Sequence, residues 1–143
     1  MSSVYQRALV GGNWADYTPT LAGFAIGNGT IDSRFFRTGK LVFVDDRITF
    51  GSTSTFGSSP TLTLPSAAVS GSSGLLWFDG TAQTSTSSGF YLIRWRSTGG
   101  SNTSAQTIVT STAYASMGGL SSTVPLAWGA STVLTRRGFY EEA

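Results

Sequence analysis

Between residues 40 and 50 the chain alternates. Val42, Val44, Ile48 and Phe50 fall on one side of an extended segment, with Asp45, Arg47 and Thr49 on the other. A period of two marks a strand with one buried face. The same pattern places Tyr91, Ile93 and Trp95 together on a strand over 90–96. Further strands are expected at 20–26, at 30–38 up to Gly39, and over 75–78, 106–114 and 132–140. A short one at 61–64 is stopped by Pro65. Gly27-Asn28-Gly29 is the strongest hairpin signal, because Asn-Gly accepts the positive φ angles of tight turns. Residues 51–60 and 99–104 read as loops, and Pro125 to Gly129 as a corner. No segment carries a convincing amphipathic helix. About eight short strands at regular turn spacing predict an all-β fold, an antiparallel β-sandwich or jelly-roll.

With 143 residues the chain fits one domain, expected over 14–143 behind an arm at 1–13. The arm has apolar residues, among them Val4, Tyr5 and Leu9, but Gly11-Gly12 cuts it off before a useful helix. It reads either as a frayed terminus or as an extended arm docking on a neighbour through Val4, Tyr5, Arg7, Leu9 and Trp14. Charged residues are only 11% of the chain, and Ser and Thr outnumber them more than twofold. With 40% hydrophobic residues this is not a disordered composition. The formal net charge of +2 is too small to drive nucleic-acid binding by itself. The N-terminus lacks a signal peptide's apolar run, and no stretch approaches the roughly 20 apolar residues of a membrane span. Synthesis in a cytoplasm, with no membrane contact, is the expectation.

The catalytic inventory is thin. Cysteine and histidine are absent, which removes thiolate chemistry, zinc-thiolate sites and the usual base for a serine nucleophile. Asp45 and Asp46 are neighbours on a strand, so they point to opposite faces and cannot flank one bond. Asp32 and Asp79 are expected to cap turns or meet an arginine. The loop from Gly51 to Ser59 lacks the lysine and helix of a phosphate cradle. Arg94-Trp95-Arg96 has the basic-aromatic interleaving of single-strand nucleic-acid binders, but on a strand Trp95 turns inward and the arginines outward. Arg136 and Arg137 diverge similarly, with an inter-subunit ion pair to Glu141 or Glu142 as one outcome. Asn28-Gly29-Thr30 and Asn102-Thr103-Ser104 match the glycosylation pattern and are read as turns. No catalytic residue, metal or cofactor is expected. A depolymerase built on Asp and Glu alone is the remaining enzymatic alternative.

Several pieces in order carry a resemblance. They are Trp14, Tyr17-Thr18-Pro19-Thr20, Gly27-Asn28-Gly29-Thr30, the Arg34 to Lys40 run RFFRTGK, Ile48-Thr49-Phe50-Gly51-Ser52-Thr53 and Leu62-Thr63-Leu64-Pro65. Pro125-Leu126-Ala127-Trp128-Gly129 and Gly138-Phe139-Tyr140-Glu141 follow near the end. Residues 67–115 match only in character. In this order the pieces resemble a tailed-bacteriophage surface β-domain family, found in capsid decoration proteins and at head-fibre and tail-fibre tips. The resemblance implies a compact antiparallel sandwich assembled as a homotrimer, without catalytic residues. With no shaft or Gly-X-Y repeat before Trp14, it implies a virion structural protein, a minor capsid (decoration) protein bound to the major capsid protein. The alternative is a receptor-binding tip recognising a host surface glycan, for which Phe56, Trp77 and Tyr114 are candidate surface-loop residues.

Overall fold

The computed structural model describes residues 13–69, 76–84, 89–97, 100–110 and 115–143. Ten strands run through them: β1 (Ala15–Asp16), β2 (Leu21–Ala25), β3 (Thr30–Thr38), β4 (Leu41–Thr49), β5 (Thr55–Ala68), β6 (Leu76–Gln83), β7 (Phe90–Ser97), β8 (Gly100–Thr110), β9 (Ala115–Gly119) and β10 (Val133–Glu141). Every pairing is antiparallel, and the described residues contain no helix. The all-β expectation holds, with ten strands in place of about eight. They form one hydrogen-bonded path, β1-β3-β4-β10-β6-β7-β8-β5-β2, with β9 added to β8.

That path curls into a half-barrel. β5 lies four places from β10 along it, yet the two meet directly: Ala68 bridges Glu142, and the Val69 N–H donates to the Glu141 carbonyl at 2.8 Å. The Tyr140 hydroxyl also reaches Ser66, 2.9 Å from its Oγ. Inside the curl lie the even residues of β4 and β10 and the odd residues of β7 and β8. Val42, Val44, Ile48, Phe78, Ile93, Trp95 and Leu134 are all buried there. Tyr91 shares that face opposite Ala82, at the open end, and is 36% exposed.

The strands at 30–38, 90–96 and 132–140 sit within a residue of their expected places. The differences elsewhere have local causes. Gly27-Asn28-Gly29 makes a turn but no hairpin, since β2 pairs with β5 and β3 with β4. The Asn28 side chain instead lashes the turn to the loop after β4, donating to Ser52 Oγ and accepting from the Thr53 N–H. The tight hairpin is the next one, where Thr38 pairs with Leu41 across Gly39-Lys40 and Gly39 takes φ +60°. The 51–60 loop shrinks to a turn at Gly51–Ser54, and the strand expected at 61–64 extends over Thr55–Ala68 through Pro60 and Pro65. Both prolines fall where pairing is interrupted, against β2 before Thr61 and against β8 between Thr63 and Ala68, so no ladder donor is missed. Residues 100–104, read as loop, belong to β8, and Thr103 is wholly buried there; 102–104 is therefore strand and not turn. The final residues of the strand expected at 106–114 lie outside the described residues. β9 has no alternating pattern to announce it.

The corner before β10 packs onto the core. The Trp128 indole N–H donates to the Ser121 carbonyl at 2.9 Å, and its ring stacks on Phe56 at 4.1 Å between centroids. Phe24 and Phe50 complete this aromatic end of the core.

Candidate functional site

Asp45-Asp46 and Arg136-Arg137 face each other in register on β4 and β10. Alternation sends Asp46 and Arg136 inward and Asp45 and Arg137 outward. The inner pair is fully buried at 2.7 Å. Arg136 spends all five of its N–H groups: on Asp46 Oδ2, the Leu62 and Thr63 carbonyls, Thr103 Oγ1 and the Tyr17 hydroxyl. Tyr17 passes the chain on, donating to Asp46 Oδ1 at 2.6 Å. Burial pushes the Tyr17 phenol well above its ordinary range. This layer ties β10 to β4, β5 and β8, so it holds the curl. It is a structural clasp, sealed from solvent.

The outer face is the accessible one. Across six strands, Asp16, Arg34, Asp45, Arg137, Asp79 and Arg94 stand side by side in register, alternating in sign. Ion pairs link Arg34 to Asp45 at 2.8 Å, Arg137 to Asp45 at 2.9 Å and Arg94 to Asp79 at 3.3 Å. Partial burial pushes the Asp45 carboxyl up, but hydrogen bonds from Arg34 and Arg137 outweigh it and hold it below the ordinary carboxylate range. Two residues along the strands runs an aromatic row. Trp14, Phe36, Phe43 and Phe139 follow one another at 6.1, 5.8 and 5.6 Å, each pair tilted by about 45°. On the other side of the charges, Leu92, Ile108 and Met117 of β7, β8 and β9 form an exposed aliphatic row beside a recess of about 290 Å³. A groove of about 470 Å³ runs where aromatic and charged rows meet, between Trp14, Arg34, Phe43, Asp45, Arg137 and Phe139.

Of the expected site residues, Trp14 belongs to this face, half exposed, with the Arg34 guanidinium 4.9 Å from its ring centroid. Trp77 lies on the outer face of β6, with Arg94 5.0 Å over its ring. Trp77 is therefore on a strand and not in a loop, and Trp14 directly precedes β1. Phe56 is corrected in place: it is on β5 and not in a loop, packed against Trp128 and the core. Val4, Tyr5, Arg7, Leu9 and Tyr114 lie outside the described residues. Asp79 does meet an arginine, Arg94, whereas Asp32 sits opposite Arg47 in register without an ion pair. Arg136 and Arg137 each find an aspartate within the chain, and Glu142 pairs with Arg37 at 2.8 Å. Trp95 is buried, its indole N–H on the Thr135 carbonyl at 2.9 Å. Gly80 makes room for that bond, since a Cβ there would collide with the same carbonyl.

Phe36, Phe43 and Phe139 are not among the candidate site residues the sequence suggests. Their signal was present in the uninterrupted apolar run Leu41-Val42-Phe43-Val44, because a strand apolar on both faces has both faces covered. Among the described residues no group of three or more acidic, histidine or cysteine side chains could hold a metal ion. In comparisons with known proteins, no family model, no curated protein and no solved structure matches the chain.

Proposed function

We propose that the chain is a non-catalytic virion surface protein of a tailed bacteriophage, a decoration protein that binds the outside of the major capsid protein lattice as a homotrimer. In that assembly the two arms of the curled sheet act as the layers of a flattened sandwich, and neither nucleic acid nor membrane is a partner. The observation that carries this role is the outer face. Trp14 at 48% and Phe139 at 62% exposure are the ends of a continuous aromatic row, and Leu92 at 68% and Ile108 at 53% head a second apolar row. A monomer with a filled core has no use for two such rows, and contiguous exposed apolar surface marks a contact site. The order of motifs from Trp14 to Glu141 adds the resemblance to phage surface domains.

The test is co-sedimentation of purified protein with expanded capsids lacking it, together with its mass in solution. Saturable binding and a threefold mass are expected. A monomer that ignores capsids overturns the proposal. A second role, a fibre or tail tip recognising a host surface glycan, is favoured by one specific feature, the groove at the foot of the aromatic row. Adhesion to host cells without capsid binding would select it.

A further inference from the structure

We infer that the charged and aromatic rows of the outer face dock on the same rows of a second copy of the chain, across a two-fold axis parallel to the strands between β4 and β10. This adds a second contact to the assembly above and rests on that reading only for its setting, a lattice of copies. The charged row is balanced and strictly alternating. Asp16, Arg34, Asp45, Arg137, Asp79 and Arg94 read minus, plus, minus, plus, minus, plus over β1, β3, β4, β10, β6 and β7. A row without net charge draws no partner by sign alone. Its complement is the same row read backwards, and a second copy carries one. Rotation about the axis sets Asp45 against Arg137, Arg34 against Asp79 and Asp16 against Arg94, each contact occurring twice. Other symmetric dockings fail. An axis along the row, or along any one strand, sets each charge against its own sign. An axis between other neighbouring strands matches signs but leaves one end of the row unanswered.

The aromatic row obeys the same axis. Because the axis is parallel to the strands, each row meets itself and not another row. Two residues along from Arg137 and Asp79, Phe139 and Trp77 stand on neighbouring strands, and Trp77 pairs with Arg96 in register. The row from Trp14 to Phe139 therefore continues through Trp77 and ends at Arg96. Rotation lays Phe43 against Phe139 and Phe36 against Trp77, ring on ring. It also brings Arg96 to Trp14, a cation to a ring face. The 62% exposure of Phe139, next to the axis, is what the contact removes. Exposed charges add little attraction, so they set the register while the rings supply the contact. The two rows cover about 24 Å by roughly 14 Å, well under the ~800 Å² per partner of a standard interface. The contact is therefore weak between free copies and gains from a lattice that holds copies side by side. Leu92, Ile108 and Met117 lie on the other side of the charges, away from the axis, and are left for contacts within a trimer.

The experiment is a charge swap read by sedimentation of the full chain over rising concentration. The mass of the base unit, one copy or three, tests the trimer; the step above it tests this contact. The parent is expected to associate beyond its base unit. Asp79→Arg sets like charges at Arg34 of the second copy, and Arg34→Asp sets like charges at Asp79. Each variant alone should associate about tenfold more weakly. An equal mixture of the two should regain the association, because between unlike copies both contacts are again of opposite sign. The Arg34 and Asp79 side chains are 49% and 83% exposed, so both variants should fold, with circular dichroism as the check. Asp16→Arg mixed with Arg94→Asp repeats the swap at the ends of the row should either variant misfold. Phe139→Ser should abolish the association without touching a charge. A mixture no heavier than either variant alone overturns the two-fold contact, whatever the base mass. So does a parent that stays at its base mass up to about 1 mM; if Phe139→Ser then weakens binding to capsids or cells, the face belongs to that partner instead.

Discussion

Asp46–Arg136 and Asp45–Arg137 are the same two residue types on the same two strands, one register position apart. Their nitrogen–oxygen distances are also alike, 2.7 and 2.9 Å. They differ in which side of the sheet they occupy, and that single difference assigns them opposite work. The inner pair has left water entirely, so its charges must be answered by fixed partners, and Arg136 has five of them. The outer pair remains beside solvent, where water and salt screen the attraction and long side chains lose entropy on being held. A buried ion pair is costly to assemble and more costly to break, whereas an exposed one is nearly free in both directions. The inside pair therefore fixes shape, and the outside pair stays exposed to solvent.

The largest break in this comparison comes from removing one inner partner. Arg136→Met strands the Asp46 carboxylate in the core and takes a donor from each of the Leu62 and Thr63 carbonyls. A loss of about 3–5 kcal/mol is expected, out of a total stability typically between 5 and 15. Thermal unfolding should show Tm lower by about 10–20 °C. Replacing Asp46 by Leu as well removes the stranded charge, so the double variant should be more stable than Arg136→Met alone. If the two losses simply add, the pair is not the coupled clasp described here.

The alternation that separates these pairs was legible in the chain, and so were the strands it defines. Asp46 has the same parity as Val42, Val44, Ile48 and Phe50, which is why it is inside; Arg136 has that of Leu134 and Tyr140. What the alternation could not supply was the partner of each strand. β4 meets β10 some ninety residues later, and β2 skips its sequence neighbour for β5. Nothing local in either strand specifies such pairings, because they are decided by which arrangement buries the most surface. Asn28-Gly29 misled for the same reason: its turn chemistry was right, but tertiary contacts with Ser52 and Thr53 recruited it. The outer aromatic row was divided among the residue before β1 and strands β3, β4 and β10, so it became one feature only when the sheet assembled.

A smaller break sharpens the inner side. Tyr17→Phe removes a hydroxyl that accepts from Arg136 at 2.8 Å and donates to Asp46 at 2.6 Å. Each partner keeps other bonds, so a loss of about 1–3 kcal/mol is expected by chemical denaturation. The variant also tests the pH dependence. Burial raises the Tyr17 phenol above its ordinary value of about 10. The unfolded chain then releases its proton first as pH rises. The stability linked to Tyr17 is therefore complete below pH 10 and falls as pH climbs beyond it. Tyr140, raised for the same reason with its Ser66 bonds in partial opposition, behaves likewise. The alkaline loss should be shallower in Tyr17→Phe than in the parent, and an unchanged slope would mean the hydroxyl is not sealed in the core.

The outer pair should give the smallest effect and the opposite pH window. Arg137→Gln is expected to change stability by no more than about 0.5 kcal/mol, the usual range for an exposed ion pair. Asp45 nonetheless reports the loss. Its folded pKa lies below its unfolded one because Arg34 and Arg137 favour the carboxylate. Its stabilisation is thus fully present above about pH 3.9 and disappears as pH falls through the folded value. Taking away Arg137 leaves only Arg34 against the desolvation that pushes the carboxyl up. The folded pKa must then rise toward the ordinary range, and the acid loss attributable to Asp45 must shrink. Carboxyl chemical shifts followed by NMR from pH 6 to 2 would read this directly. A titration of Asp45 unmoved by Arg137→Gln would mean that Arg34 alone holds the carboxylate.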